Sequence, residues 1–283
     1  MKTNLIIAGI TAIALLTSCA KENLDTAGRT VVLNATMEEI DAPASKTSIS
    51  DTGAIIWNEG DQILAVDEDN NKLTMKVKEL KEGGKKAVFE GEVPEGQTFG
   101  NIKYAFYPES KFKVAADGAV TVTPMRTSYL TNLTNQIPSC ANVAGGDALF
   151  KNICGIVEMN IEAGDLVDEY GENQNKVGLS ISADSCVFGS FTFDPEDFSL
   201  KPAPGTSTNE LHSFMQEFDE GHYIMILPEY TGKLTINARD FYNYIHGSIN
   251  TANLEIEKGK YITMPTLTIS YSSGSKYVFT KKE

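Results

Sequence analysis

Short β-rich segments separated by turn signals recur along this chain, and they constrain its fold more than any other feature. Thr30–Met37 is the first of them. Predicted strands at residues 54–57 and 62–66 flank a predicted turn at Asn58-Glu59-Gly60-Asp61, where glycine readily adopts the left-handed backbone conformation. Further strands are predicted at residues 72–77, 87–93, 103–108, 155–161, 176–182, 190–193, 223–227, 233–238 and 261–271. Helical periodicity is weak, so the pattern predicts an all-β chain built from antiparallel β-sandwiches.

A polar region rich in Thr, Ser and Asn, residues 121–147, separates two series of predicted strands. A chain of 283 residues is long enough for two domains of ordinary size. The sequence therefore predicts an N-terminal β-sandwich domain over residues 30–145, a C-terminal β-sandwich domain over 146–271 and a tail over 272–283. Residues 195–209, rich in Pro, Ser and Thr, are predicted to be a loop.

The start of the chain carries the features of an export signal. An apolar run, residues 5–16, is too short to span a bilayer. It leads into Leu16-Thr17-Ser18-Cys19, which resembles a lipobox, the motif in which the cysteine is acylated and becomes the first residue of the mature protein. We therefore expect a lipoprotein signal peptide over residues 1–18, a tether over 19–29 and an exported protein. An ordinary secretory signal with a chance cysteine is the alternative.

Charge and cysteine content narrow the function classes. The formal net charge is -14, which disfavours binding to nucleic acid and to anionic lipid headgroups. Besides Cys19, the chain contains Cys140, Cys154 and Cys186, which allow one intramolecular disulfide in an oxidising compartment. Cys154 lies in an apolar run, residues 153–157, which favours packing as a small apolar side chain, and a Cys154–Cys186 disulfide is the alternative. No Cys/His spacing indicates a metal site.

Known catalytic motifs do not occur in the sequence. His212, His222 and His246 are the only histidines, and none belongs to a nucleophile elbow or a zinc-binding HExxH motif. We therefore predict a non-enzymatic protein without a cofactor or a metal. The acidic run that starts at Asp67 resembles half of a calcium loop, but lysines occupy loop positions six and twelve, so a solvated turn is favoured. Trp57 is either a core residue, which its apolar strand favours, or a platform for a sugar ring.

Several segments, taken in order behind the lipobox, resemble the fimbrillin-like family, which comprises lipoprotein precursors of type V pilus subunits and their relatives in Gram-negative anaerobes. The resembling segments are Ser45-Lys46-Thr47, residues 57–66, Phe89-Glu90-Gly91, and residues 104–108, 150–159, 223–228 and 254–261. They extend over nearly the whole mature chain. The resemblance implies two transthyretin-like β-sandwich domains, export by the lipoprotein route to the outer membrane or cell surface, and assembly into filaments.

The resemblance also implies how subunits join. In the family's pilins a surface protease removes an N-terminal strand, and a strand of a neighbouring subunit fills the vacated groove. Here the removable strand would be Thr30–Met37, which presents Val31, Leu33 and Ala35 on one face. The donor residues would be Leu267, Ile269 and Tyr271, followed by Tyr277 and Phe279. A last hairpin folded on its own domain is the alternative for this tail.

The processing site departs from the family pattern, because the family protease cuts after arginine. Arg29 precedes the first strand, whereas Lys46 lies in the loop where a cut would release that strand. Roles as a stalk subunit and as a tip or accessory adhesin both stay open.

The leading prediction is a fimbrial subunit or fimbrillin-like surface lipoprotein that mediates adhesion. Its partners would be other pilus subunits, which it would bind by strand exchange. It would be attached to the outer membrane through the lipid anchor and would bind a ligand on a host or bacterial surface. The alternative is a non-polymerising glycan-binding lipoprotein. Its stacking platform would be Trp57, or the group Phe241, Tyr242 and Tyr244.

Overall fold

The computed structural model describes residues 28–38, 56–124, 128–129, 136–167, 170–173, 177–212, 221–239, 244–272, 274 and 276–282. The predicted signal peptide, Cys19 and Lys46 lie outside these residues. Regular structure within the described ranges consists of strands and two short 3-10 turns, without an α-helix, so the all-β prediction is confirmed. None of the described residues belongs to a helix long and apolar enough to cross a membrane.

The strands are numbered in chain order. They are β1 (Thr30–Met37), β2 (Gln62–Asp67), β3 (Lys72–Lys81), β4 (Lys86–Glu92), β5 (Ile102–Tyr107), β6 (Phe112–Val114), β7 (Val120–Val122), β8 (Ser128–Tyr129), β9 (Ser139–Ala144), β10 (Asp147–Asn152), β11 (Gly155–Ala163), β12 (Gly178–Ala183), β13 (Phe188–Asp194), β14 (Ser199–Thr208), β15 (Glu210–His212), β16 (Gly221–Leu227), β17 (Tyr230–Gly232), β18 (Leu234–Arg239), β19 (Ile245–Asn250), β20 (Leu254–Ile256), β21 (Tyr261–Thr263), β22 (Leu267–Ser272) and β23 (Lys276–Lys281). The 3-10 turns are Glu82–Gly84 and Glu109–Lys111.

The first sheet closes on itself in the order β1, β10, β9, β5, β2, β3, β4. β1 pairs with β4 in the antiparallel direction and with β10 in the parallel direction. Alternate side chains point to the interior of this sheet, because the side-chain period of a strand is two residues. Trp57, which precedes β2, is 1% exposed and packs edge-on against Phe89, Tyr107 and Phe150 at the centre of the first core.

Two further sheets share a second core. One has the order β23, β22, β11, β16, β8, with β21 also paired to β11, and the other has the order β15, β12, β18, β19. Met159 of β11, Ile181 of β12 and Ile236 of β18 belong to this core. β11 contributes to both cores, since Ile156 packs in the first and Val157 in the second. The two cores therefore meet at β11.

A four-stranded sheet in the order β14, β13, β7, β6 joins early and late parts of the chain. Its strand β13 carries Phe193, whose ring centre lies 6.2 Å from the ring centres of Phe106 and Phe112. Because β6 and β7 precede the predicted domain boundary and β13 and β14 follow it, this sheet ties the two halves of the sequence together.

The prediction of a loop over residues 195–209 is wrong, because β14 occupies Ser199–Thr208. The Pro, Ser and Thr content that suggested a loop belongs to the edge strand of the sheet. Edge strands tolerate residues such as Pro202 and Pro204, because proline lacks the N–H that an inner strand has to donate to its neighbour.

The boundary predicted near residue 145 falls in the turn between β9 and β10. β10 pairs with β1 on one side and β9 on the other, so it is part of the first sheet. The first sheet therefore extends to Asn152, the last residue of β10.

The candidate disulfide between Cys154 and Cys186 is not formed, since Cys140, Cys154 and Cys186 are all free. Cys154 is fully buried in the first core, in agreement with the interpretation of this residue as a small apolar side chain. Cys186 is partly exposed and lies outside that core.

Candidate strand-exchange site

β1 has one face in the first core and one face in solvent. Leu33, Ala35 and Met37 are 0%, 1% and 6% exposed, and Val31 packs against the same core. Val32, which points the other way, is 49% exposed. The inward set predicted from the sequence stops at Ala35, although the same period of two continues to Met37. β1 is therefore a strand whose apolar side is matched to the interior of a closed sheet.

Both edges of β1 are paired. Its antiparallel ladder with β4 covers Thr30 to Thr36. Its parallel ladder with β10 is shorter and covers Asn34 to Met37. Removal of β1 would leave two strand edges with unpaired N–H and C=O groups and would open part of the apolar core. Such a groove is complementary to an extended strand with alternating apolar side chains.

Further contacts hold the two ends of β1. Before the strand, the Arg29 guanidinium donates to the backbone oxygen of Phe99. After it, the Glu38 carboxylate accepts from the backbone N–H of Asn152 over 3.2 Å. Lys46, the predicted processing residue, lies outside the described residues. The predicted cut would therefore fall in the chain that follows a strand anchored at both ends.

β10 is the partner of β1 that sequence reasoning missed. Ala148 and Phe150 are 4% and 0% exposed, whereas Leu149 between them is 51% exposed. This alternation could have identified a strand with one buried face. The sequence holds no signal that this strand pairs in parallel with a strand more than a hundred residues earlier.

The predicted donor residues lie in a hairpin that packs on the chain's own second core. β22 pairs in parallel with β11, and β23 pairs antiparallel with β22. Leu267, Ile269 and Tyr277 are 2%, 0% and 8% exposed, and Tyr271 and Phe279 pack partly buried against the same core. The rings of Tyr271 and Tyr277 meet edge-on at 5.5 Å. The tail thus adopts the hairpin that the sequence left open as its alternative, with β23 at the edge of the sheet.

The structure excludes Trp57 as a stacking platform for a sugar ring. Trp57 is buried among aromatic rings, so its face is not accessible to a ligand and the core interpretation is confirmed. Tyr244, just before β19, is 68% exposed. Phe241 and Tyr242 lie outside the described residues. Of the predicted group, Tyr244 is the residue that the structure describes, and its side chain is exposed.

The Asp67 carboxylate is engaged by N–H donors and does not present its oxygens to a cation. It accepts from the backbone N–H of Asp69 at 2.9 Å, of Asn71 at 2.8 Å and of Gly100 at 2.6 Å. The Asn71 side-chain amide donates to it at 2.9 Å. Burial raises the pKa of the Asp67 carboxyl, but these four hydrogen bonds lower it by more, so the pKa lies below its usual value. The calcium-loop interpretation is thereby disfavoured.

The remaining polar side chains that could carry chemistry are dispersed. Within the described parts of the chain, no group of three His, Cys, Asp or Glu side chains is placed to hold a metal ion. His246 lies in β19 and is partly buried. The side chains of His212 and His222 lie outside the description.

The fold and the strand arrangement define a class of protein: an all-β chain in which an N-terminal strand completes a closed sheet made otherwise by later segments. Similar solved structures come from Bacteroides. A candidate cell adhesion protein from Bacteroides ovatus has a TM-score of 0.50 and 14% identity, over 91% of this chain and 97% of that chain. A candidate cell adhesion protein from Bacteroides uniformis has a TM-score of 0.46 and 17% identity, over 89% and 97%. A fimbrial protein from Bacteroides vulgatus has a TM-score of 0.36 and 11% identity, over 89% and 98%.

These similarities concern the fold alone. At 14% identity the likeness to the Bacteroides ovatus protein shows a shared architecture, and the other two TM-scores are too low to carry a conclusion. No family model matches the chain, and no curated protein matches it. The architecture shared with the Bacteroides ovatus protein agrees with the all-β fold that the sequence resemblance implies.

Proposed function

We propose that this chain is a non-enzymatic fimbrial subunit or fimbrillin-like surface lipoprotein that assembles by β-strand exchange and serves adhesion. The observation that carries the proposal is the position of β1, an N-terminal strand paired on both edges and buried on one face. In this proposal, proteolysis after Lys46 separates β1 from the rest of the chain. A strand of a neighbouring subunit then takes its place. The shared fold with a candidate adhesion protein supports this function.

The proposed anchor is a lipid on Cys19, which becomes the first residue after removal of the signal peptide. The tether over residues 19–29 then connects the lipid to β1, and the protein resides on the outer membrane or in a fimbrium at the cell surface. A cut after Arg29 would free the protein from its lipid but would leave β1 in place. Lys46 is therefore the processing residue that this proposal requires.

The proposed architecture is two transthyretin-like β-sandwich domains with a division after Asn152 rather than near residue 145. The pairing of β10 within the first sheet supports this later division. The C-terminal hairpin is the proposed donor to a neighbouring subunit. Leu267, Ile269, Tyr271, Tyr277 and Phe279, which it now packs on the second core, are the side chains that would enter the neighbour's groove.

Strand release followed by strand uptake tests the proposal. Purified residues 20–283 are treated briefly with trypsin, the cut is identified by mass spectrometry, and the protease is inhibited. A fluorescent peptide of residues 28–38 is then added with gentle warming, and its uptake is followed by anisotropy. Lys46 is the only lysine or arginine between Arg29 and Lys72, so Lys46→Gln is the matched control. We expect uptake by the cleaved protein and none by the control.

Strand exchange would be contradicted if the protein is cut after Lys46 and keeps its circular dichroism spectrum but takes up no peptide. In that case the glycan-binding alternative gains support if a glycan array shows binding that is lost in Tyr244→Ala. Absence of binding to a broad glycan array would count against that alternative as well.

A further inference from the structure

Three alanines on three neighbouring strands form one row that faces the interior of the first sheet. Ala35 of β1 stands opposite Ala87 of β4 on one side and Ala148 of β10 on the other. The three side chains are 1%, 2% and 4% exposed and belong to the first core. At this row, therefore, each of the three strands contributes a single methyl group to the interior.

Larger side chains flank this row along β1. Leu33 stands opposite Phe89, and Met37 stands opposite Phe150. At the outer end, Val31 stands opposite Gly91, where a Cβ atom would come within 2.9 Å of Met75 Cγ. Read in the direction of β1, the inward positions are large, large, small, large. The groove that β1 occupies is therefore complementary to a strand whose inward side chains follow this order of sizes.

Extra volume at the alanine row cannot be accommodated easily. The alanine row belongs to the first core, whose side chains are buried. Protein interiors are close-packed, and added methylene groups force strained rotamers or backbone shifts. A shift of register by one residue gives no relief, because it turns every inward side chain to the solvent.

The inward side chains of the chain's own C-terminal strands do not follow this order of sizes. The inward set of β22 is Leu267, Ile269 and Tyr271, and that of β23 is Tyr277 and Phe279. Neither set contains a small residue, whichever direction the strand takes. In the groove of a second copy, an aromatic or branched side chain would stand where Ala35 now lies.

We propose that, if β1 is exchanged as described above, its groove accepts a strand from a different subunit and not the C-terminal hairpin of a second copy. The inward residues of that strand have the order large, large, small, large, with Ala, Gly or Ser at the position of Ala35. The alanine row therefore determines the specificity of assembly, and this chain joins a hetero-assembly in which its own hairpin enters another kind of groove.

The test uses the cleaved full mature chain, residues 20–283, and four labelled peptides. They are the β1 peptide of residues 28–38, the same peptide with Ala35→Leu, the same peptide with Val32→Leu, and a peptide of residues 265–282. Val32→Leu is the matched control because it enlarges a side chain on the exposed face of β1. We expect Ala35→Leu to weaken uptake at least about tenfold and Val32→Leu to leave it within about threefold.

We also expect the peptide of residues 265–282 to bind at least about tenfold more weakly than the β1 peptide, and the cleaved protein alone to form no ladder on an unboiled gel. Equal uptake of the Ala35→Leu and β1 peptides, equal uptake of the C-terminal peptide, or a self-ladder would overturn the specificity proposal while leaving strand exchange intact. Uptake of no peptide at all would instead reject strand exchange and, with it, the specificity that rests on it.

Discussion

The Asp67 carboxylate connects two parts of the first sheet. Two of its donor residues, Asp69 and Asn71, lie in the turn between β2 and β3. The third, Gly100, lies two residues before β5. A hydrogen bond to a charged group contributes about 1.5–3 kcal/mol to stability, more than one between neutral groups. The ionised form of Asp67 is therefore part of the structure of this turn.

Acid should weaken the first sheet through Asp67. The folded-state pKa of Asp67 lies below that of an unfolded aspartate, so its contribution is complete above about pH 4 and is lost as the pH falls through the folded-state pKa. We expect Asp67→Asn to lower the free energy of unfolding by about 2 kcal/mol at pH 7 and to flatten its decrease below pH 4. Urea titrations from pH 7 to pH 2.5 measure both effects. Asp69→Asn, at an exposed position in the same turn, should leave both unchanged; equal effects of the two variants would refute this role of Asp67.

At the scale of elements, β13 is the strand that couples the early and late segments of the chain. It pairs with β7 on one side and β14 on the other. Two of its buried residues, Phe191 and Phe193, belong to the first core, although most of that core comes from residues before 155. The rings of Phe193 and Phe106 meet edge-on at 6.2 Å. Packing of this strand therefore stabilises a core formed mainly by other parts of the chain.

Truncation of Phe193 should destabilise the first core. We expect Phe193→Ala to lower the free energy of unfolding by about 3–5 kcal/mol, because it removes a buried aromatic ring and leaves a cavity. Thr192→Ala, at the exposed neighbouring position, should change it by less than about 0.5 kcal/mol. Guanidinium titrations followed by the fluorescence of Trp57, which lies in this core, measure both values. A Phe193→Ala protein as stable as Thr192→Ala would show that β13 does not support this core.

At the scale of the whole molecule, the two cores meet at β11, and both of the core cysteines lie in the first of them. Cys140 and Cys154 are 0% exposed, and burial raises the pKa of both thiols. A thiol reacts as its thiolate, so both groups should be inert while the molecule stays closed. Cys186 is partly exposed, so it differs from the other two in access.

Thiol labelling should distinguish the closed molecule from the unfolded one. In residues 20–283 at pH 8 we expect a maleimide or Ellman's reagent to modify Cys186 alone, and all three cysteines in denaturant. Peptide mapping identifies the labelled sites, and Cys186→Ser is the control that should show no rapid labelling. If neither Cys154 nor Cys186 reacts in denaturant without reductant, a disulfide joins them. That result would contradict the free thiols of the structure.

Much of the secondary structure could be predicted because it follows from local patterns. Alternation identified β1 and its inward residues Val31, Leu33 and Ala35, and the apolar context of Trp57 favoured its place in the core. Composition misled at β14, where proline content indicates either a loop or an edge strand. The apolar run around Cys154 favoured its burial, which is confirmed, whereas the sequence alone could not decide whether Cys154 and Cys186 pair.

The sequence by itself determined that this chain is all-β, where most of its strands run and which side of β1 is apolar, because these depend on the period of a few neighbouring residues. Only the tertiary structure decided that β1 lies between β4 and β10, that β13 joins the early strands, and that Ala35, Ala87 and Ala148 form one row. Strand partners and register depend on long-range closure of the sheet and on the packing of side chains from distant segments, and no local pattern encodes them.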